Sequence, residues 1–204
     1  MISVPRPPMS PSLIDTPPYT YVFYAVFFGW FLVNSRLLGR ERSGDVRRER
    51  RHSKRVLWAA TTGGLVVALG CHYLIGWAAM AAPELAFWTG IGLLIAGAII
   101  REYAVRTLGR FFTVDLGVDT DQPVVDEGPY AWVRHPGYLG SFVSHAGIGV
   151  VLANWLSFTA LTLSLLAGYW YRIRVEEDLL RTELGAAYEA YAERTPYRLV
   201  PGLW

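Results

Sequence analysis

The chain alternates long apolar blocks with short polar breaks. From Tyr19 to Leu38 the residues are almost unbroken Tyr, Phe, Val, Trp and Leu, and a stretch of about 20 residues matches a hydrocarbon core of about 30 Å. Val56 to Met80 and Leu85 to Leu108 supply two further spans. The turn Ala81-Ala82-Pro83-Glu84 between them is too short for anything but antiparallel neighbours. Leu139 to Leu152 and Trp155 to Tyr171 are each slightly short of a full span, with Asn154 as the turn signal between them. They read as a tilted helical hairpin or a partly re-entrant pair. The pattern therefore predicts an all-α integral membrane protein with about five transmembrane helices. Its parts are a Pro-rich tail over 1–18, disordered or loosely docked, spans one to three over 19–108 with a basic loop at 39–55, and a polar-rich region over 109–204.

Composition agrees: 52% hydrophobic residues with eight Trp and twelve Tyr is too apolar and aromatic for an ordinary soluble domain. Charge placement adds orientation. With five spans, eighteen of the nineteen Lys and Arg fall on one side and only Arg6 on the other, so the N-terminus is expected outside and the C-terminus in the cytoplasm. The basic run Arg40 to Arg55 fits topology setting and attraction to anionic headgroups. It lacks the interleaved aromatics of a nucleic-acid surface. The single cysteine, Cys71, excludes an internal disulfide framework or a cysteine-based metal cluster. The acids from Asp115 to Glu127 lack EF-hand spacing, so no metal is expected. Lys54 is the one lysine among many arginines, which points to a GC-rich prokaryotic genome and an inner or plasma membrane.

Polar residues crowd one segment at a membrane boundary, Gly128-Pro129-Tyr130-Ala131-Trp132-Val133-Arg134-His135-Pro136-Gly137-Tyr138-Leu139-Gly140, and such groups usually do chemistry. Its two prolines predict a rigid, non-helical backbone. Arg134 and His135 offer donors for a carboxylate, while Tyr130, Trp132 and Tyr138 offer faces to a purine or a cation. Acids come from Glu176, Glu177 and Glu183. Arg172 and Glu176, four apart, share a helix face, and Glu177 points about 100° away. Carboxylate binder, acid and aromatics together suit S-adenosylmethionine, with its carboxylate, ammonium, ribose, purine and sulfonium. Glu102 and Arg106 read as an interfacial pair, with Arg106 as an alternative member of an anionic-ligand pocket. His72 and His145 read as buried, satisfied histidines, and Tyr188 and Tyr191 as an amphipathic face docked on the membrane or over the pocket.

The run Gly-Pro-Tyr-x-x-Val-Arg-His-Pro-x-Tyr-x-Gly, a membrane hairpin, Arg172-x-x-x-Glu176-Glu177, Gly185-x-x-Tyr188-x-x-Tyr191 and Pro201 resembles the isoprenylcysteine carboxyl methyltransferase family, across roughly residues 100 to 204. The resemblance implies a membrane methyltransferase without a Rossmann domain, which binds S-adenosylmethionine (product S-adenosylhomocysteine) from the cytosol. A lipophilic or prenylated acceptor would enter from the bilayer among membrane lipids. It assigns cofactor contacts to Gln122, Pro123, Val124, Val125, Tyr130, Arg134, His135, Pro136, Gly137, Tyr138 and Glu176, and catalytic roles to Arg172, Glu176 and Glu177. Gln122 stands where eukaryotic members tend to carry His, and the acidic run is shorter than theirs. A carboxylate acceptor is already ionised and needs only positioning. A thiol, amine or hydroxyl acceptor would need a base, with Glu177 or His135 as candidates. The other classes weighed are a phospholipid-amine or small-thiol methyltransferase on the same scaffold and a non-enzymatic transporter-like or structural protein. No inverted repeat supports a transporter.

Overall fold

The structure, a computed structural model, describes residues 13–38, 48–112 and 123–204. Six α-helices carry the fold: α1 (Tyr19–Leu38), α2 (Arg48–Leu74), α3 (Pro83–Leu108), α4 (Pro136–Val151), α5 (Trp155–Leu184) and α6 (Ala186–Arg194). Among the described residues there is no strand, only an isolated bridge between Ala79 and Asn154.

Several boundaries differ from the sequence reading. Helix α2 begins eight residues early, inside the basic run, because Arg and Lys are good helix formers. It ends at Leu74, ahead of a short 3-10 turn at Gly76–Ala78. Helix α4 opens at Pro136 rather than at Leu139. A proline in the first helical turn loses only an N–H that has no partner there anyway, so Pro136 starts the helix where a non-helical backbone was expected. Helix α5 does not stop at Tyr171. Its 30 residues reach about 45 Å, so its last three to four turns project past the apolar layer and carry Arg172, Glu176 and Glu177. The 16 residues of α4 span only about 24 Å. By length and composition two stretches suffice to cross a membrane, His52–Leu74 with mean hydropathy 1.3 and Pro83–Leu108 with 1.6. Much of the tail and the basic loop lies outside the described residues, though Ile14 is buried against the core.

Two antiparallel pairs, α3 with α4 and α2 with α5, are joined through α4 and α5, and α1 lies chiefly against α3. Lipid solvates apolar side chains as well as another helix does, so small residues and interhelical hydrogen bonds must hold the pairs. Between α3 and α4, Gly90 faces Gly147 and Gly97 faces Gly140. A Cβ on Gly90 would lie 2.6 Å from the Gly147 carbonyl, and one on Gly140 2.5 Å from the Arg101 amide. Between α2 and α5, hydroxyls step along the seam: Ser157 donates to the Ala68 carbonyl and Ser164 to the Ala60 carbonyl, each at 2.6 Å. Both inter-helix turns meet at one end, where Asn154 caps α5 by accepting from Leu156 and Ser157 and donates to the Ile75 carbonyl at 2.9 Å. The polar ends of α3, α4 and α5 gather at the other.

Replacing Gly97 by Leu should cost roughly 3 kcal/mol or more, because the backbone of α4 occupies the space. Gly92→Ala, on the same helix but facing open space, should gain up to about 1 kcal/mol. Thermal unfolding in detergent measures both, and equal midpoints for the two variants would contradict the glycine seam.

Candidate active site

Gly128 has φ +58°, a left-handed conformation that suits glycine, and starts a 3-10 turn through Ala131. The turn sends Tyr130 inward, where it is buried, and Trp132 outward, 74% exposed. Trp132 therefore contributes no face to the site, contrary to expectation. Arg134 and His135 then run beside the segment after α6, their amides donating to the carbonyls of Tyr197 and Arg198 at 2.9 Å each. Tyr191 adds a hydroxyl bond to the Tyr130 carbonyl at 2.8 Å.

Beneath this loop sits Glu177, with 1% of its side chain exposed. Its Oε1 accepts from Arg134 Nε at 2.8 Å and lies 3.4 Å from His135 Nε2. Its Oε2 accepts from Arg198 Nε at 3.0 Å. Arg134 also donates through Nη1 to the Thr195 carbonyl at 2.7 Å. Burial by itself would push the Glu177 carboxyl up, but the hydrogen bonds from His135, Arg134 and Arg198 reverse this and hold it well below the usual carboxylate range. Two expectations are revised here. Glu177 is a structural acceptor with its oxygens occupied, unsuited to act as a base, and Arg134 spends Nε and Nη1 on the protein's own groups.

Glu176, one residue away and on the adjacent helix face, is placed differently. Its Oε2 accepts the Tyr138 hydroxyl at 2.6 Å, and that hydroxyl accepts in turn from Arg172 Nε at 3.2 Å. Arg172 is buried and donates through Nη1 to Ser53 Oγ on α2 at 2.8 Å. His135 and Tyr138 stack at 5.7 Å, and Tyr138 and Tyr169 pack at 5.3 Å. Arg172, Tyr138 and Glu176 thus form a polar line across one cavity of about 530 Å³. One half of the cavity is walled by Val124, Tyr130, Leu180, Tyr188 and Tyr191; the other by Phe27, Phe31, Leu57, Trp58 and Leu65 from α1 and α2. Burial raises the pKa of the Tyr130, Tyr188 and Tyr191 hydroxyls, so they stay neutral. The Tyr188 hydroxyl is sealed with no hydrogen-bond partner among the described residues.

Of the residues singled out in the sequence, Pro123, Val124, Val125, Tyr130, Arg134, His135, Gly137, Tyr138, Arg172 and Glu176 all line this cavity. Pro136 is buried at the start of α4, Glu183 is exposed, and Gln122 lies outside the described residues. Tyr188 and Tyr191 face the cavity rather than the membrane surface. Glu102 and Arg106 pair at 2.7 Å as read, but border a separate outer groove. His72 and His145 are satisfied through Nδ1 by the carbonyls of Leu152 and Ser141. Sequence reasoning missed Ser53, Tyr169 and Arg198. Ser53 sits in a basic run that masks it, and Tyr169 sits in an apolar span that hides it. Arg198 has no periodic element around it to suggest a partner.

Residues 90–182 match the model of the isoprenylcysteine carboxyl methyltransferase (ICMT) family. Among curated relatives, a probable protein-S-isoprenylcysteine O-methyltransferase of Oryza sativa subsp. indica is 38% identical over 119 residues, 55% of this chain and 62% of that protein. The protein-S-isoprenylcysteine O-methyltransferase of Schizosaccharomyces pombe is 33% identical over 110 residues, 53% of this chain and 47% of that protein. The aligned stretch thus spans about half to three-fifths of these relatives' lengths. The solved structure of the eukaryotic intramembrane Ras methyltransferase ICMT superposes with a TM-score of 0.62 at 25% identity, covering 92% of this chain and 67% of that one. That likeness extends over α1 and α2, where the sequence carries no family signature.

Glu177→Gln should destabilise the protein by about 3–5 kcal/mol, since it leaves the buried Arg134 without its counter-charge. Because the Glu177 carboxyl lies below the ordinary value of 4.5, its stabilisation is complete above that pH and is lost as pH falls further. Unfolding midpoints from pH 7 to pH 3 read this, and the acid-side fall should vanish in Glu177→Gln.

Proposed function

We propose that this chain, whose residues 90–182 match the model of the isoprenylcysteine carboxyl methyltransferase family, is a member of that family and an integral membrane methyltransferase. It uses S-adenosylmethionine to methylate the carboxylate of a lipophilic acceptor such as an isoprenylcysteine. The observation that carries this reading is the Arg172–Tyr138–Glu176 line, which sits where the polar and apolar halves of one cavity meet.

The residues present fit the cofactor. Glu176 Oε2 is taken by Tyr138, and Oε1 accepts nothing among the described residues, leaving it for an ammonium or a ribose hydroxyl. The unpartnered Tyr188 hydroxyl and the faces of Tyr130 and His135 supply a further donor and stacking surfaces. Val124, Val125, Tyr130, His135, Tyr138 and Glu176 would hold S-adenosylmethionine, which supplies an electrophilic methyl group on a sulfonium.

The chain's own residues then need only position and shield. A carboxylate is ionised at neutral pH, so no base is needed, in keeping with a Glu177 already occupied by cations. Arg172, fixed by Ser53 and Tyr138, orients that carboxylate, and most of the rate comes from this placement. Phe27, Phe31, Trp58 and Leu65 exclude water and receive the apolar chain, which enters between α1 and α2. With the polar end of the bundle in the cytoplasm and the N-terminus outside, the cofactor side faces its soluble pool.

Calorimetry with S-adenosylhomocysteine in detergent tests this. Wild type should bind with micromolar affinity. Glu176→Ala should weaken binding at least tenfold, about 1.4 kcal/mol, whereas Arg172→Ala should retain binding and lose transfer to S-farnesylcysteine. Absence of binding by the wild type would sink the methyltransferase reading.

A further inference from the structure

The membrane half of the cavity is not purely apolar. Arg101, on α3, reaches into it with one end of its guanidinium fixed, Nη1 donating to Ser141 Oγ at 2.7 Å and to the Gly137 carbonyl at 3.2 Å. Its Nη2 has no partner among the described residues, and Nε is sealed without one. A cation at this depth is costly unless something of opposite character meets it. No carboxylate among the described residues pairs with it: Glu102 holds Arg106, and Glu176 bonds Tyr138 through Oε2.

His145 faces the same space. Its Nδ1 lies 2.7 Å from the Ser141 carbonyl. A carbonyl can only accept, so Nδ1 carries the proton and the neutral ring presents Nε2 to the cavity as an acceptor. Trp30 packs edge-to-face on this ring at 5.3 Å and holds its plane. Asn34, whose Nδ2 donates to the Trp30 carbonyl at 2.8 Å, lines the same cavity. Arg101 is close enough to His145 and Tyr169 to act on both electrostatically. A fixed donor and an oriented acceptor therefore stand together where a plain hydrocarbon chain would leave both unsatisfied, and buried polar groups left unpaired cost about 1–3 kcal/mol each.

We infer that Arg101 and His145 form a second polar subsite, which recognises a hydroxyl partway along the acceptor's apolar chain, its oxygen accepting from Arg101 and its proton donated to His145 Nε2. This rests on the methyltransferase reading for the place of the reacting carboxylate. Tyr138 and His145 are seven residues apart on α4, about 10 Å along the axis. The acceptor class is thus a hydroxylated long-chain carboxylic acid, with its carboxylate at Arg172 and its hydroxyl within two helical turns of it, between Ser141, which holds Arg101, and His145.

Two probes test it, hexadecanoic acid and the hexadecanoic acid carrying a hydroxyl at its middle carbon, each titrated calorimetrically into the full-length protein in detergent and then assayed as a methyl acceptor. Wild type should favour the hydroxy acid about tenfold in affinity and in kcat/KM. Arg101→Met and His145→Leu should each bring that ratio close to one, while His145→Asn, which keeps a polar group, should retain part of it. S-Adenosylhomocysteine affinity, measured on every variant, reports that the fold and the cofactor half persist. Equal affinity for the two acids in wild type, or a preference that survives both Arg101→Met and His145→Leu, would overturn the subsite. Loss of S-adenosylhomocysteine binding or of all methyl transfer in wild type would instead overturn the methyltransferase reading, and the affinity ratio of the two acids would still judge the subsite.

Discussion

A carboxylate with almost no access to water, collecting Arg134, Arg198 and His135, is the constraint on which the cofactor side of this protein depends. Glu177 belongs to the rigid end of α5. Arg134 and His135 belong to the loop ahead of α4, and Arg198 to the segment after α6. No other contact ties all three together so directly. Burying such a group is unfavourable unless its hydrogen bonds are nearly complete, so the cluster tolerates little movement. Tyr130, Tyr138 and Glu176 inherit their positions from it. The group that looks most reactive by composition thereby acts as a fastener, and its neighbour Glu176, with a softer and half-open environment, is left for the ligand.

The helical seams explain how so short a chain holds a cavity in the membrane. Close glycine contacts lock α3 to α4, and serine hydroxyls register α2 against α5. Neither seam relies on apolar attraction, which lipid would match. Helix α1 leans mainly on α3, and residues of α1 and α2 both line the cavity.

Much of this was legible in the sequence. Apolar blocks of span length located α1, the core of α2, and α3, and the Gly-Pro-Tyr to Gly140 run with Arg172 and Glu176 located the polar line. What stayed hidden has physical reasons. The prolines were read as helix breakers, but Pro136 starts a helix. The last span was ended at Tyr171, where hydrophobicity stops, and helix was read only as far as Glu177, although α5 continues to Leu184. The 100° between Glu176 and Glu177 was read from their spacing, but the Arg134, His135 and Arg198 partners that this offset gives Glu177 lie more than twenty residues away. Ser53, Tyr169 and Arg198 act through partners more than twenty residues away in sequence, distances that no local pattern records.

The amides of Arg134 and His135 pair with carbonyls that follow α6, and this imposes an order on synthesis. All the membrane helices can insert and associate while the ribosome is still translating. The pocket wall cannot close until residues 195–198 have emerged. Until then the loop ahead of α4 lacks its backbone partners and Glu177 lacks Arg198. The last stretch of chain to be made is therefore the one that completes the wall of the pocket.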